Sequence, residues 1–234
     1  MKLLGRILTT LISFGAIMAL IGLVTVFYVI QYYSADLPDY RQLARYEPPV
    51  ATRIHAADGQ LLEEYATEKR IFVPVFAIPD RVKKAFIAAE DRNFYHHPGL
   101  DAFGIARAVL TNFQNMGEGR RLVGGSTITQ QVAKNFLLSS EVSFKRKFKE
   151  AIIAFRMEKA FSKNEILELY LNEIYLGRGR YGIAAAALGY FDKSLEDLAV
   201  HEIAYLAALP KAPNNYQIPA DHDAALERRN WIIS

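Results

Sequence analysis

Ala88-Ala89-Glu90-Asp91-Arg92-Asn93-Phe94-Tyr95-His96-His97-Pro98-Gly99 carries the densest run of reactive side chains in the sequence, directly behind a short amphipathic segment. Val82, Ala85, Phe86 and Ala89 recur at helical spacing after Asp80, which the pattern places as an N-cap, so Glu90 falls in the last turn of a helix. A carboxylate there faces the negative end of the helix dipole, and Phe86 and Phe94 are placed to keep water away. Both effects raise its pKa toward that of a working general base. A surface glutamate at an ordinary helix end is the competing reading, and a lone Glu does not decide between them.

Upstream, Lys2 and Arg6 precede residues 7–33, which carry no charge, and the first acidic residue is Asp36. Such a run crosses a hydrocarbon core of about 30 Å, whereas a cleaved signal peptide has an apolar core of only about 7–15 residues. The expected arrangement is a cytoplasmic N-terminus at 1–6 and an uncleaved transmembrane signal anchor at 7–33. By the positive-inside tendency, the remainder lies on the outer or periplasmic face of the cytoplasmic (inner) membrane. Residues 34–75 read as a connector: Pro48 and Pro49 interrupt any helix, residues 52–56 and 61–65 flank the turn signal Asp58-Gly59 as a small β-hairpin, and 70–75 offers a third strand. Residues 76–234 make one sizeable, mainly α domain.

Composition removes several functions. There is no cysteine, so no disulfide framework, thiolate metal site or thiol nucleophile arises. The net charge of +3 is small and both signs are intermixed, which is too weak a basic footprint for nucleic-acid binding. A mildly basic surface beside a bilayer fits anionic headgroups or a phosphorylated lipid better.

Downstream, Asp101 caps a helix running to about Met116, followed by a basic loop, Gly117-Glu118-Gly119-Arg120-Arg121. Gly124-Gly125-Ser126-Thr127 opens another helix, a start whose amides can hold an anion. Thr127, Gln131, Lys134 and Asn135 share one side of it and Ile128, Val132 and Phe136 another. Either a solvated stripe or a sugar-binding surface explains the polar side, although Thr, Gln and Asn are weak choices for mere solvation. In residues 144–156 the apolar side is Phe144, Phe148, Ala151, Ile152 and Phe155. Arg146 and Glu150, four apart on the opposite side, are either an exposed pair worth a few tenths of a kcal/mol or, in a cleft, a phosphate-binding cation and a second carboxylate.

Ser162-Lys163-Asn164-Glu165 is a capping box opening a helix at 166–176. Gly177-Arg178-Gly179-Arg180-Tyr181-Gly182 spells GxGxxG but follows a helix rather than a strand, which argues against a dinucleotide site and leaves Arg178 and Arg180 as candidate anion contacts. His201-Glu202-Ile203-Ala204-Tyr205 lacks the second His of a zinc motif and reads as a core helix ending at Pro210. No His or acidic cluster demands a metal. Trp231-Ile232-Ile233-Ser234 leaves an apolar helix without a stop signal, from which truncation before a further domain is expected.

Five segments, Glu90-Asp91-Arg92-Asn93-Phe94, Gly124-Gly125-Ser126-Thr127-Ile128-Thr129-Gln130-Gln131, Arg146-Lys147-Phe148-Lys149-Glu150, Lys163-Asn164-Glu165-Ile166-Leu167-Glu168-Leu169-Tyr170-Leu171-Asn172 and Leu209-Pro210-Lys211-Ala212-Pro213, resemble in order the motif set of the family 51 peptidoglycan glycosyltransferases. Within that family the match is to the N-terminal half of class A penicillin-binding proteins of the 1A type, which continue into a transpeptidase domain. The resemblance implies a lysozyme-like glycosyltransferase domain with a smaller membrane-proximal jaw lobe, polymerising lipid II into β-1,4 glycan strands with inversion and release of undecaprenyl pyrophosphate. It implies Glu90 as general base on the acceptor hydroxyl and Glu150 as the second acidic residue, assisting on the donor side. Lys134 and Arg146 correspond to pyrophosphate contacts, and Asp91, Phe94, His97, Ser126, Thr127, Gln131, Asn135 and Lys211 to other substrate-binding positions. No cofactor is required, though a divalent cation is compatible with the family. Lipid II, the growing strand, the membrane and cell-wall synthesis proteins are the implied partners.

The residues support this division of labour. A diphosphate leaves well once cations steady its charge, whereas glycoside hydrolysis needs a protonated carboxyl to release an alkoxide. A base beside Lys134 and Arg146 therefore favours transfer over the alternatives, a membrane-bound muramidase or lytic transglycosylase, or a non-catalytic precursor-binding module.

Overall fold

The computed structural model describes residues 2–34, 37–45, 52–58, 61–65, 69–116, 124–138, 143–216 and 222–234. It opens with α1 (Lys2–Ser34), whose stretch Thr10–Ser34 has a mean hydropathy of 2.3, stays outside the core and is long and apolar enough to cross a membrane. β1 (Thr52–His55) and β2 (Leu61–Tyr65) form the expected antiparallel hairpin. Pro48, Pro49 and Gly59 lie outside the described residues.

The expected third strand does not extend that hairpin. β3 is only Lys69–Arg70, and it pairs in parallel with β4 (Arg180–Tyr181), more than a hundred residues away in the chain. Side chains explain the choice: the Arg70 guanidinium bonds Glu173 and stacks over the Tyr181 ring at 4.5 Å. Asn172 fixes the next residues of the segment by accepting from Val73 N at 2.8 Å and donating to Val73 O at 2.8 Å.

The helical domain begins at α2 (Asp80–Glu90). Its N-cap is Pro79 rather than Asp80; the fixed proline φ sets up the first turn, and Asp80 instead pairs with Lys83 at 2.8 Å. α3 (Ala102–Gln114) is capped as expected by Asp101, which accepts from Gly104 N at 2.9 Å. The basic loop at 117–121 is outside the described residues. α4 (Ile128–Leu137) starts from a Thr127–Gln130 capping box, and α5 (Phe144–Ala160) from Ser143.

The expected apolar side of α5 is not its buried side. Glu150, Ile153, Ala154 and Met157 point inward, while Phe144, Phe148 and Phe155 are exposed. Helical periodicity finds the most apolar stripe, and here the interior accepts a carboxylate because two cations come with it.

α6 (Lys163–Glu173) has the expected Ser162–Glu165 capping box, but begins immediately after the cap and ends at Glu173. Ile174 turns to extended backbone so that Tyr175 can bridge to Tyr181. The intervening loop is a tight reversal, with Gly177, Arg178, Gly179 and Gly182 all at positive φ. Gly182 is obligatory, since a Cβ there would lie 2.6 Å from the Asn172 carbonyl oxygen. Arg178 and Arg180 sit over the Tyr190 ring at 5.3 Å each and do not line the cavity described below.

α7 (Ile183–Phe191), α8 (Val200–Ala208) and α9 (His222–Ile233) complete the domain. Glu202 of the zinc-like string accepts from Lys193 at 2.8 Å and Ala199 N at 2.7 Å, a capping duty. The core joins Val82 and Phe86 of α2, Ile128 and Val132 of α4, Met157 of α5 and Leu167, Tyr170 and Leu171 of α6, with α8 against α2. Each fully buried Leu or Phe contributes about 1.5–3 kcal/mol, so the shared burial of Phe86 and Tyr170, whose rings meet edge to face at 6.4 Å, holds α2 against α6.

Candidate active site

α2, α4, α5, α9 and the turn at Leu209–Lys211 enclose a cavity of about 720 Å³. Eight of the twelve expected site residues line it: Glu90, Asp91, Ser126, Thr127, Gln131, Lys134, Glu150 and Lys211. Phe94, His97, Asn135 and Arg146 do not.

Glu90 closes α2, as expected from the sequence, with its side chain 15% exposed. Gln131 Nε2, from the first turns of α4, donates to its Oε2 at 2.9 Å. Among the described residues no N–H or O–H donates to Oε1, the atom that remains able to take a proton. Burial pushes the Glu90 carboxyl above its ordinary value, opposed by the Gln131 hydrogen bond and the charges of Arg228 and Lys211 and assisted by Asp91.

Glu150 is held differently. It is 1% exposed, with Lys147 Nζ donating to Oε2 at 2.7 Å and Arg146 Nε standing 3.0 Å from Oε1. Lys147 also donates to Ser126 Oγ at 2.9 Å. Each Glu150 oxygen thus has a cation beside it, Lys147 at Oε2 and Arg146 at Oε1, which offsets the cost of burying the carboxylate. Arg146 acts from behind Glu150, without reaching the lining.

Lys134 shares the cavity with Glu90 and Glu150, and no described residue forms an ion pair with it. Burial lowers its pKa from the ordinary lysine value, with Arg146 and Lys147 adding and Glu150 and Glu90 opposing. A cation so placed gains from an incoming anion. Asn135, one residue on, points to solvent, because a helix turns about 100° per residue and the neighbouring stripe faces away.

Asp91 and His97 form a brace. His97 Nε2 lies 2.9 and 3.0 Å from the two Asp91 oxygens, and Gly99 N donates to His97 Nδ1 at 3.1 Å, so Nδ1 is the acceptor and Nε2 carries the hydrogen. Asp91 Oδ2 also accepts from Ile128 N at 3.0 Å, and Thr127 Oγ1 donates to Gly99 O at 2.6 Å. The C-terminus of α2 is thereby stitched to the N-terminus of α4, which sets Glu90 against Gln131. His97 is therefore a buried support, and Phe94, fully buried, is core.

Sequence reasoning missed Lys147, Arg228 and Trp231 in the lining. Lys147 was legible as i,i+3 to Glu150. Arg228 and Trp231 have the same spacing on α9, but nothing local announces that they meet α2. Among the described residues no three His, Asp or Glu side chains gather as a metal site.

A family model described as Transglycosylase matches residues 58–234. This chain belongs to the transglycosylase family. Penicillin-binding protein 1A of Rickettsia bellii is 55% identical over 218 residues, covering 93% of this chain and 28% of the relative. Penicillin-binding protein 1A of Aquifex aeolicus is 46% identical over 198 residues, covering 85% of this chain and 27% of the relative. The transglycosylase chain thus spans under a third of the length of these relatives. A crystal structure of Penicillin-Binding Protein 1A from Haemophilus influenzae, 28% identical, overlaps 80% of this chain and 18% of its own with a TM-score of 0.41, too loose to add to the fold assignment.

Proposed function

We propose that this transglycosylase domain is a peptidoglycan glycosyltransferase that extends a glycan strand from lipid II, with α1 anchoring it in the inner membrane and the domain on the outer or periplasmic side. The observation that carries the reading is the pairing, in one cavity, of a carboxylate oxygen and a cation that among the described residues have no hydrogen-bond donor and no ion-pair partner respectively, Glu90 Oε1 and Lys134.

In this reading the acceptor sugar's hydroxyl gives its proton to Glu90 Oε1 as its oxygen bonds the donor carbon. The bond from that carbon to the lipid diphosphate breaks, and the charge left on the diphosphate falls to Lys134 and to the Lys147–Glu150–Arg146 cluster. A single displacement inverts the donor carbon. Burial of Glu90 supports the base role, since a carboxylate of raised pKa competes better for a hydroxyl proton. A divalent cation would supplement Lys134 in steadying the diphosphate charge.

Labelled lipid II and finished glycan, supplied separately to the full chain in detergent, distinguish transfer from cleavage. Longer strands from lipid II that disappear in Glu90→Gln, with no shortening of finished glycan, are expected. Shortened glycan, or undiminished polymerisation by the variant, rejects the assignment.

A further inference from the structure

α9 enters the site through two residues that the reaction as written does not use. Arg228 Nη2 donates to the Ala89 carbonyl at 2.7 Å, one of the last carbonyls of α2, and lies 3.8 Å from Glu90 Oε1. Its guanidinium is stacked over the Trp231 ring at 4.3 Å, and Arg92 lies 4.7 Å from the same ring while its Nε contacts the Ala88 carbonyl at 3.4 Å. The Arg228 side chain is only 18% exposed, so ordering it is maintained by the stack and the carbonyl bond rather than by chance at a surface.

The carbonyl end of a helix is the negative end of its dipole and repels a carboxylate carried on the last residue. A guanidinium that caps that end and stands beside the carboxylate reverses the local field. We propose that Arg228, held by Trp231, is a positioning residue for Glu90: it fixes the end of α2, supplies the counter-charge of the base and leaves Oε1 directed into the cavity. The inference deepens the transferase reading and rests on Glu90 being its base. Glu90 is also faced by Asp91 from its own segment, Lys134 from α4, the buried Tyr170 hydroxyl from α6 and Lys211 from the turn after α8. Arg228 differs from these in touching both the helix end and the carboxylate.

The test uses the full chain in detergent, with Arg228→Gln, Arg228→Lys and Trp231→Ala. Gln keeps an N–H for the Ala89 carbonyl but has no charge; Lys keeps the charge without the planar stack. Two readouts are needed: the pH profile of lipid II polymerisation, and the titration of the Glu90 carboxyl followed by carbon NMR on glutamate-labelled protein, assigned with Glu90→Gln. Removing a cation favours the protonated acid, so in Arg228→Gln both the acid limb and the carboxyl titration are expected to move to higher pH. Activity lost near neutrality returns as the pH is raised. Arg228→Lys should move both back toward the parent, and Trp231→Ala should shift them in the direction of Gln. A loss equal at every pH, with the titration unmoved, overturns the proposal and leaves the transferase reading intact. A moved titration in a protein that does not polymerise lipid II sinks that reading and keeps the coupling. Should Arg228→Gln fail to fold, an unshifted titration in Trp231→Ala still overturns the proposal.

Discussion

Glu90 is subject to two pressures of opposite sign, and pH separates them. Its carboxyl has a pKa above the ordinary value because it is buried, so the ionised form burdens the folded state; that burden is absent at low pH and appears as the pH rises through the folded pKa. Activity runs the other way, because only the ionised form accepts a proton, and it is lost as the pH falls through the same value. Glu90→Gln, which can still accept from Gln131, is therefore expected to abolish polymerisation while leaving the melting temperature unchanged or higher. The gain should be larger at pH 8 than at pH 5, and thermal melts of both proteins at the two values measure it; a lower melting temperature for the variant at pH 8 contradicts the burial argument. Glu150 is the contrasting case. Replacing it with Gln leaves Arg146 and Lys147 together without their shared partner, and a loss of about 3–5 kcal/mol in stability, read by chemical denaturation, is expected. An effect confined to catalysis, with stability retained, would return Glu150 to a direct chemical role.

At the scale of elements, local signals located the turn that carries Glu90 and long-range packing decided what surrounds it. The end of α2 at Glu90, the Asp101 cap, the Thr127 start of α4 and the Ser162–Glu165 box are all set by residues within a turn of one another, which is why they were legible. Apart from the cap of α2, where the neighbouring Pro79 displaced Asp80, the failures share a cause: β3 found its partner across the chain, α5 buried Glu150 in place of its phenylalanines, and His97 lies beneath the cavity rather than in its lining. Each depends on a neighbour that no spacing rule names. The stitch between α2 and α4 is where local and distant effects meet, and it is open to test. Thr127→Ala removes the cap on Gln130 N and the bond to Gly99 O, an expected cost of about 1–2 kcal/mol. Gly99 stands at φ 92°, and a Cβ there would fall 2.9 Å from the Ala154 carbonyl, so Gly99→Ala should cost about 2 kcal/mol or more. Both variants should also slow transfer by loosening Gln131 from Glu90; a destabilised Gly99→Ala with full activity would show that the stitch does not govern the base.

For the whole molecule, the proposed lipid-linked donor requires the cavity to stand close to a bilayer. α1 leaves the apolar stretch Thr10–Ser34 fully outside the core, and it meets the domain at α5, where Tyr33 stacks on Phe148 with ring centroids 5.7 Å apart. Phe103 and Phe113 on α3, Met116 just past its end and Phe144 at the start of α5 are each exposed at 71% or more. Exposed apolar side chains of this size call for a cover, and the apolar helix α1 in the same chain makes a bilayer the cover to test. Each phenylalanine taken from water is worth about 1.5–3 kcal/mol, so burying the group in lipid would add to whatever hold α1 supplies. Arg107 and Thr111 of α3 line the cavity, and Phe103 lies one turn before Arg107 on the same helix face. The sequence contains no cysteine, so single labels are straightforward. An environment-sensitive fluorophore at Phe113→Cys or Phe144→Cys should shift to the blue when the full chain passes from detergent into liposomes and be quenched by brominated acyl chains. The same label at His201→Cys, exposed on α8, should report water throughout. If positions 113 and 144 also report water, the α3–α5 surface stands clear of the bilayer, and a donor would have to leave the membrane to reach Glu90.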